Sequence, residues 1–116
     1  MIVISDFLYE QSDQFRQLAS SYGLHLPYFY LKEGMISKSA LIALRRRYRV
    51  TILPAMDEAD HVAAELLHYN CRKISICEAR MVVLAKKHKI SYLMHDAVLH
   101  QVCKAEGVII VDHIDS

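Results

Sequence analysis

The sequence predicts an α/β domain in which a mostly parallel sheet of four or five strands is flanked by helices on both faces. Short apolar runs rich in β-branched residues alternate along the chain with longer amphipathic stretches. This alternation is typical of parallel strands that are connected by helices and buried on both faces. The chain has 116 residues without a low-complexity stretch or linker, so we expect a single domain over residues 1–116.

The first half of the chain contains two predicted strands and three predicted helices. The opening run, Ile2-Val3-Ile4, is typical of a buried strand and leads to Asp6. Ser12 can cap the first helix, Gly23 can end it in a left-handed conformation, and Ser37 can cap the third helix. The predicted strands cover residues 1–5 and 50–53, and the predicted helices cover residues 12–22, 28–34 and 37–47.

The second half contains three predicted helices and two further strands. The first of these helices is predicted to bury a stripe formed by Val62, Leu66 and Tyr69. Ser75-Ile76-Cys77-Glu78 matches a capping box at the start of the next helix. The predicted helices cover residues 57–69, 75–89 and 96–106, and the predicted strands cover residues 91–94 and 108–111.

The composition and the short motifs exclude several classes of function. The net charge is +1, which gives no global electrostatic preference for nucleic acid or membrane. No Gly-rich phosphate loop or Gly-x-Ser-x-Gly elbow occurs, which disfavours nucleotide-binding folds and serine hydrolases. The three cysteines lack disulfide or zinc-site spacing, so we expect free thiols and no zinc. Since no apolar run approaches the roughly 20 residues that span a bilayer, we expect a cytoplasmic protein.

Four carboxylates are placed where a sheet of this kind forms its site. Sites in open α/β sheets lie beyond the carboxyl ends of the strands, where Asp6 and Asp96 are expected. Glu78, in the first turn of a helix, and Glu33, after the first crossover, are expected to approach the same edge. Clustered carboxylates repel one another unless a cation neutralises them, so the set predicts a site for Mg²⁺ or Mn²⁺. Such ions support phosphodiester hydrolysis.

Each of these carboxylates also has a purely structural interpretation. Asp96 is an ordinary helix N-cap, and Glu78 completes the capping box with Ser75. Asp6 can cap a turn after the first strand, and a glutamate such as Glu33 is usually solvated. The metal-site hypothesis therefore depends on the four residues occurring together in this order.

Five segments of the chain resemble the PIN-domain family of metal-dependent ribonucleases. They are Ile2-Val3-Ile4-Ser5-Asp6, Leu31-Lys32-Glu33, Ser75-Ile76-Cys77-Glu78-Ala79, Tyr92-Leu93-Met94-His95-Asp96-Ala97-Val98-Leu99 and Ala105-Glu106-Gly107-Val108-Ile109-Ile110-Val111. The resemblance is continuous over residues 50–112 and implies a three-layer PIN-like sandwich. It also implies that Asp6, Glu33, Glu78 and Asp96 are catalytic, with Asp6, Glu78 and Asp96 binding Mg²⁺ or Mn²⁺.

The resemblance predicts partners as well as an activity. Small members of the family include the toxins of bacterial toxin–antitoxin pairs, which implies cleavage of RNA, a homodimer and inhibition by an antitoxin protein. A basic cluster is expected to hold the RNA backbone, although a helix end of this charge is also favoured by the macrodipole alone. The cluster consists of Arg45, Arg46, Arg47 and Arg49.

A second hypothesis is a catalytically degenerate PIN-like domain that binds RNA or a protein partner without cleaving RNA. Phe7 and Leu8 follow Asp6, where the family has a small polar residue. Met94 stands before Asp96 in place of the family's hydroxyl residue. Thermal stabilisation by Mn²⁺ distinguishes the two hypotheses, because only an intact site binds the ion. A third interpretation, a flavodoxin-like regulatory domain, predicts no carboxylate cluster.

Overall fold

The computed structural model describes residues 13–94 and 96–112, which form six helices and four short strands. Within these ranges, none of the helices has both the length and the apolar character needed to cross a membrane. The helices are α1 (Asp13–Tyr22), α2 (Tyr28–Lys32), α3 (Lys38–Arg47), α4 (Glu58–Asn70), α5 (Ile76–His88) and α6 (Ala97–Glu106). The strands are β1 (Leu24–Leu26), β2 (Val50–Ile52), β3 (Tyr92–Met94) and β4 (Ile110–Asp112).

The described strands pair in two separate parallel ladders. β1 pairs with β2, with Leu24 opposite Val50, and β3 pairs with β4, with Tyr92 opposite Ile110. Most of the described residues are helical and each described strand has only three residues, so the predicted sandwich built on a four- or five-stranded sheet is wrong. The physical reason is that each described strand pairs over three residues only, and the longer amphipathic helices between the strands carry most of the fold.

The predicted start and stop signals of the helices are confirmed where the structure describes them. Ser75 and Glu78 form the expected capping box, with reciprocal amide-to-side-chain hydrogen bonds of 2.8 and 3.0 Å. Gly23 follows α1 with a φ of +73°, a left-handed conformation that suits glycine. Asp57 caps α4 and forms a second capping box with Asp60. These local signals therefore set the ends of the helices correctly.

The N-terminal half contains one unpredicted strand and several predicted features that lie outside the described residues. The strand β1 was not predicted, although Leu24-His25-Leu26 alternates between Gly23 and Pro27 as a short strand does. The predicted strand over residues 1–5 and Asp6 at its end lie outside the described residues. The same holds for Phe7, Leu8 and Ser12.

The hydrophobic core surrounds α5 and the two ladders. Both faces of α5 contribute to it, because most of the apolar residues along this helix are buried. Phe15, Tyr30 and Tyr92, all fully buried, supply its large aromatic side chains. The buried residues of α5 are Ala79, Met81, Val82, Leu84 and Ala85.

The helix α4 faces the core with a different side from the one predicted. Val62, Leu66 and Tyr69 are exposed, whereas Asp60 and Ala64 are buried. The small Ala64 side chain allows a close approach to neighbouring elements, and Asp60 forms an ion pair with α5. The predicted inner stripe of α4 is therefore wrong. The side of the helix that faces the core carries Ala64 and Asp60, and the more apolar side faces solvent.

The hydroxyl of Tyr92 is buried and has no hydrogen-bond partner among the described residues. Burial raises its pKa well above the ordinary value. Because an unsatisfied buried hydroxyl is costly, Tyr92→Phe is expected to raise the free energy of unfolding by up to about 1 kcal/mol or to leave it unchanged. Urea unfolding of the variant checks this, and a loss of more than about 1 kcal/mol would show that the hydroxyl has a partner.

Candidate functional site

The carboxylate of Glu33 is held by an arginine. Glu33 follows the C-terminus of α2, and its Oε2 and Oε1 atoms accept hydrogen bonds of 3.1 and 3.5 Å from Nη1 of Arg80 on α5. The Arg80 side chain is only 24% exposed, and its guanidinium also lies 5.4 Å from the centre of the Phe29 ring. Arg80 therefore supplies Glu33 with the positive charge that a metal ion was predicted to supply.

The other two described carboxylates serve as helix caps. Glu78 Oε1 accepts the Ser75 amide hydrogen bond of the capping box on α5. Asp96 Oδ1 accepts a hydrogen bond of 2.8 Å from the amide of Leu99, which makes it the N-cap of α6. The structural interpretation of both residues is thus confirmed, and Asp6 cannot be compared because it lies outside the described residues.

The charges of two of the predicted site carboxylates affect the pKa of the Cys77 thiol. Burial raises its pKa, the charge of Arg80 opposes that effect, and the charges of Glu33 and Glu78 add to it. Over residues 13–94 and 96–112, no three His, Cys, Asp or Glu side chains come together as metal ligands. The predicted Mg²⁺ or Mn²⁺ site also requires Asp6, which lies outside the described residues, so it stays a prediction.

The predicted basic cluster forms an exposed surface at the C-terminus of α3. Arg45, Arg46 and Arg47 occupy the last turn, and Arg49 follows two residues later. All four are exposed, and none takes part in a salt bridge within the described part of the chain. We call these four residues the basic surface. Their charge is available to an external anion.

A cavity of about 180 Å³ adjoins the basic surface at Arg49. Gly23, which lines it, allows the close approach of β2, because a Cβ atom at this left-handed position would lie 3.2 Å from the carbonyl oxygen of Arg49. That same carbonyl accepts a hydrogen bond of 2.8 Å from the amide of Leu24. The cavity is lined by Tyr22, Gly23, Leu24, His25, Arg49 and Thr51.

The sequence did not predict this cavity, because it depends on the pairing of β1 with β2. Pairing places His25 opposite Thr51, so an imidazole and a hydroxyl far apart in sequence line one concave surface. Tyr22, the last residue of α1, adds an exposed phenol ring at 58% exposure. The sequence feature that could have indicated β1 was Gly23, which stands directly before the alternating segment Leu24-His25-Leu26.

A second cavity, of about 310 Å³, lies beside Glu33. It runs between α2, the segment after β2 and the start of α4, and most of its lining is apolar or aromatic. Tyr28 is 45% exposed at this cavity, whereas Phe29 and Tyr30 belong to the core. The cavity is lined by Tyr28, Phe29, Lys32, Glu33, Ala55, Met56 and His61.

An ion pair joins α5 to the start of α4. Lys87 Nζ on α5 lies 2.8 Å from Asp60 Oδ2 and 3.5 Å from Asp57 Oδ2 at the start of α4. Burial alone would raise the pKa of Asp60, but the hydrogen bonds from Lys87 and the Asp57 amide, with the charge of Lys87, lower it overall. The hydrogen bond to Asp60 raises the pKa of Lys87 in turn.

The substitution Asp60→Asn is expected to make stability less dependent on pH. A carboxyl whose pKa is lowered in the folded state stabilises the fold above its ordinary value of 3.8, and that contribution is lost as the pH falls further. The variant should therefore be less stable than the wild type at about pH 7, and the difference should shrink at about pH 3. Urea unfolding at both values measures it. Asp13→Asn, at an exposed ion pair with Arg16, is the control, and its effect should be small at both pH values.

Comparison with known proteins assigns no family to the chain. No protein-family model matches the sequence, and no curated protein is significantly similar to it. The resemblance to PIN domains therefore stays a prediction from the motifs.

Proposed function

We propose that this chain binds single-stranded RNA through the basic surface and does not depend on a metal ion to do so. The observation that carries the proposal is the exposed, unpaired charge of Arg45, Arg46, Arg47 and Arg49 within the described part of the chain. Arginine binds phosphate oxygens through a planar fork of donors, and backbone phosphates dominate the affinity of most nucleic-acid contacts.

The cavity beside Arg49 supports the same proposal. Its lining combines a guanidinium, the Thr51 hydroxyl and the exposed ring of Tyr22. A hydroxyl is a frequent phosphate contact, and an exposed aromatic ring next to cationic side chains can stack on an unpaired base. Single-stranded RNA fits this arrangement because its bases are free to stack.

The carboxylates support binding rather than cleavage. Arg80 already neutralises Glu33, and the side chains of Glu78 and Asp96 are engaged as helix caps. These contacts give each of the three carboxylates a partner that does not involve a metal ion. The second of our sequence hypotheses, a domain that binds RNA without cutting it, is therefore the one that the geometry favours.

Fluorescence anisotropy with a labelled single-stranded RNA in EDTA tests the proposal. Wild type should bind, and a variant with all four arginines of the basic surface replaced by alanine should not bind at comparable concentrations. The matched control replaces four exposed lysines elsewhere, Lys73, Lys86, Lys89 and Lys104. If the lysine variant loses as much affinity as the arginine variant, binding is not specific to the basic surface and the proposal fails.

The second candidate is the metal-dependent ribonuclease predicted from the sequence. One observation favours it, since the charges of Glu33 and Glu78, which lie on different elements, both raise the pKa of the Cys77 thiol. Cleavage of RNA in Mn²⁺ that is lost in Asp96→Asn would support it. This substitution is a clean test, because asparagine caps a helix about as well as aspartate and so removes the charge while keeping the cap.

A further inference from the structure

The cavity of about 310 Å³ beside Glu33 has the size and the lining of a small-molecule site. Such sites commonly measure about 300–1000 Å³ and combine apolar or aromatic walls with a few polar groups. The rings of Tyr28 and Phe29 and the thioether of Met56 form most of the apolar lining. Aromatic rings and a polarisable thioether pack well against a flat ring, so these walls favour an aromatic ligand over an aliphatic one.

The helix α2 and the residue that follows it supply two aromatic and two charged side chains to this cavity. Tyr28 and Lys32 are four residues apart, so they lie on one face of the helix. The same spacing relates Phe29 to Glu33. Each ring therefore has a charged side chain about 6 Å further along the helix axis. A ligand with a ring at one end and a charged group at the other fits this spacing.

Lys32 gives the lining of the cavity an uncompensated positive charge. Arg80 neutralises Glu33 at 3.1 Å, whereas Lys32 forms no salt bridge within the described part of the chain. The imidazole of His61, near the start of α4, has no hydrogen-bond partner among the described residues and can donate to a ligand. An ammonium group with a second donor in the same cavity is complementary to a carboxylate.

We infer that this cavity binds a small aromatic carboxylate, with its ring against Tyr28, Phe29 and Met56 and its carboxylate towards Lys32 and His61. A cationic aromatic ligand would be repelled by the ammonium group, and a neutral one would gain no ion pair. Because the ion pair would form at an exposed lysine, the affinity is expected to be modest. The inference does not depend on RNA binding, since this cavity shares no lining residue with the one at Arg49.

Three probes with the same ring and different charges test the inference: indole-3-acetate, indole-3-acetamide and tryptamine. The chain contains no tryptophan, so indole fluorescence excited beyond the tyrosine absorption comes from the probe alone. Its anisotropy should rise as protein is added to indole-3-acetate. The neutral amide should bind about fivefold more weakly, and the cationic amine more weakly still. No binding of indole-3-acetate at millimolar protein, or equal binding of tryptamine, overturns the inference.

Two substitutions at exposed residues separate the charge from the aromatic wall. Lys32→Gln should weaken indole-3-acetate about fivefold and leave the amide unchanged, because it removes only the ion pair. Tyr28→Ala should weaken both probes about fivefold, because it removes a ring that both contact. Lys38→Gln, at an exposed lysine on α3 that does not line the cavity, is the matched control and should bind as wild type does.

The variant without the four arginines of the basic surface should also bind indole-3-acetate as tightly as wild type. This result would hold whether or not the chain binds RNA, so the two proposals can fail separately. If Lys32→Gln binds indole-3-acetate as tightly as wild type, or loses no more affinity than Lys38→Gln, the cavity is not the carboxylate site.

Discussion

Leu84→Ala is expected to lower the free energy of unfolding by about 2–5 kcal/mol. Leu84 lies in the middle of α5 and is 1% exposed, with buried neighbours on both faces of the helix. Truncation removes the apolar contacts of the side chain and leaves a cavity that the surrounding core fills only in part. Because small domains have a total stability of about 5–15 kcal/mol, the variant should be largely unfolded on modest heating.

Urea unfolding followed by circular dichroism measures this loss, and the chain offers a matched control. Leu66→Ala makes the same chemical change at a leucine that is 57% exposed on α4. It should change the free energy of unfolding by no more than about 0.5 kcal/mol. Equal losses in the two variants would contradict the placement of α5 at the centre of the core.

Removing the basic surface is expected to weaken RNA binding by about 100-fold at low salt. This follows from roughly 0.7 kcal/mol for each exposed arginine–phosphate contact, taken four times. The residues changed are Arg45, Arg46, Arg47 and Arg49. All four are exposed, so the substitutions should leave the fold intact, which circular dichroism can verify.

The salt dependence of binding gives a second readout of the same variant. Each arginine that neutralises a phosphate of a single strand releases counterions, and its loss should reduce the slope of log affinity against log salt by about 0.7. A variant with weaker binding but an unchanged slope would indicate that the arginines act through the fold rather than on phosphates. The four-lysine control variant should keep the wild-type slope.

Sequence patterns predicted the local structure of this chain well because local signals are sufficient for it. The capping box of Ser75 and Glu78, the caps Asp57 and Asp96, and the left-handed end at Gly23 each depend on residues a few positions apart. Such interactions form within a single turn and do not require knowledge of the rest of the fold. Helix boundaries followed from them to within a few residues.

The pairing of elements could not be predicted in the same way. Glu33 and Arg80 are 47 residues apart, and nothing near either residue indicates that they form an ion pair. The orientation of α4 depends likewise on Lys87, which is 27 residues from Asp60. Hydrophobic periodicity alone predicted the more apolar face of α4 as the inner one, whereas the observed inner face carries Ala64 and Asp60, the latter paired with the partly exposed Lys87. The predicted metal site stays a prediction, because Asp6 lies outside the described residues.

The most direct test is an RNA titration in EDTA followed by a gel of the same samples after Mn²⁺ is added. We expect the anisotropy to rise with protein concentration in EDTA and the RNA to remain intact in Mn²⁺. An absence of binding in EDTA would contradict metal-independent binding. Cleavage in Mn²⁺ that Asp96→Asn abolishes would contradict a domain that does not cut RNA and favour the ribonuclease predicted from the sequence.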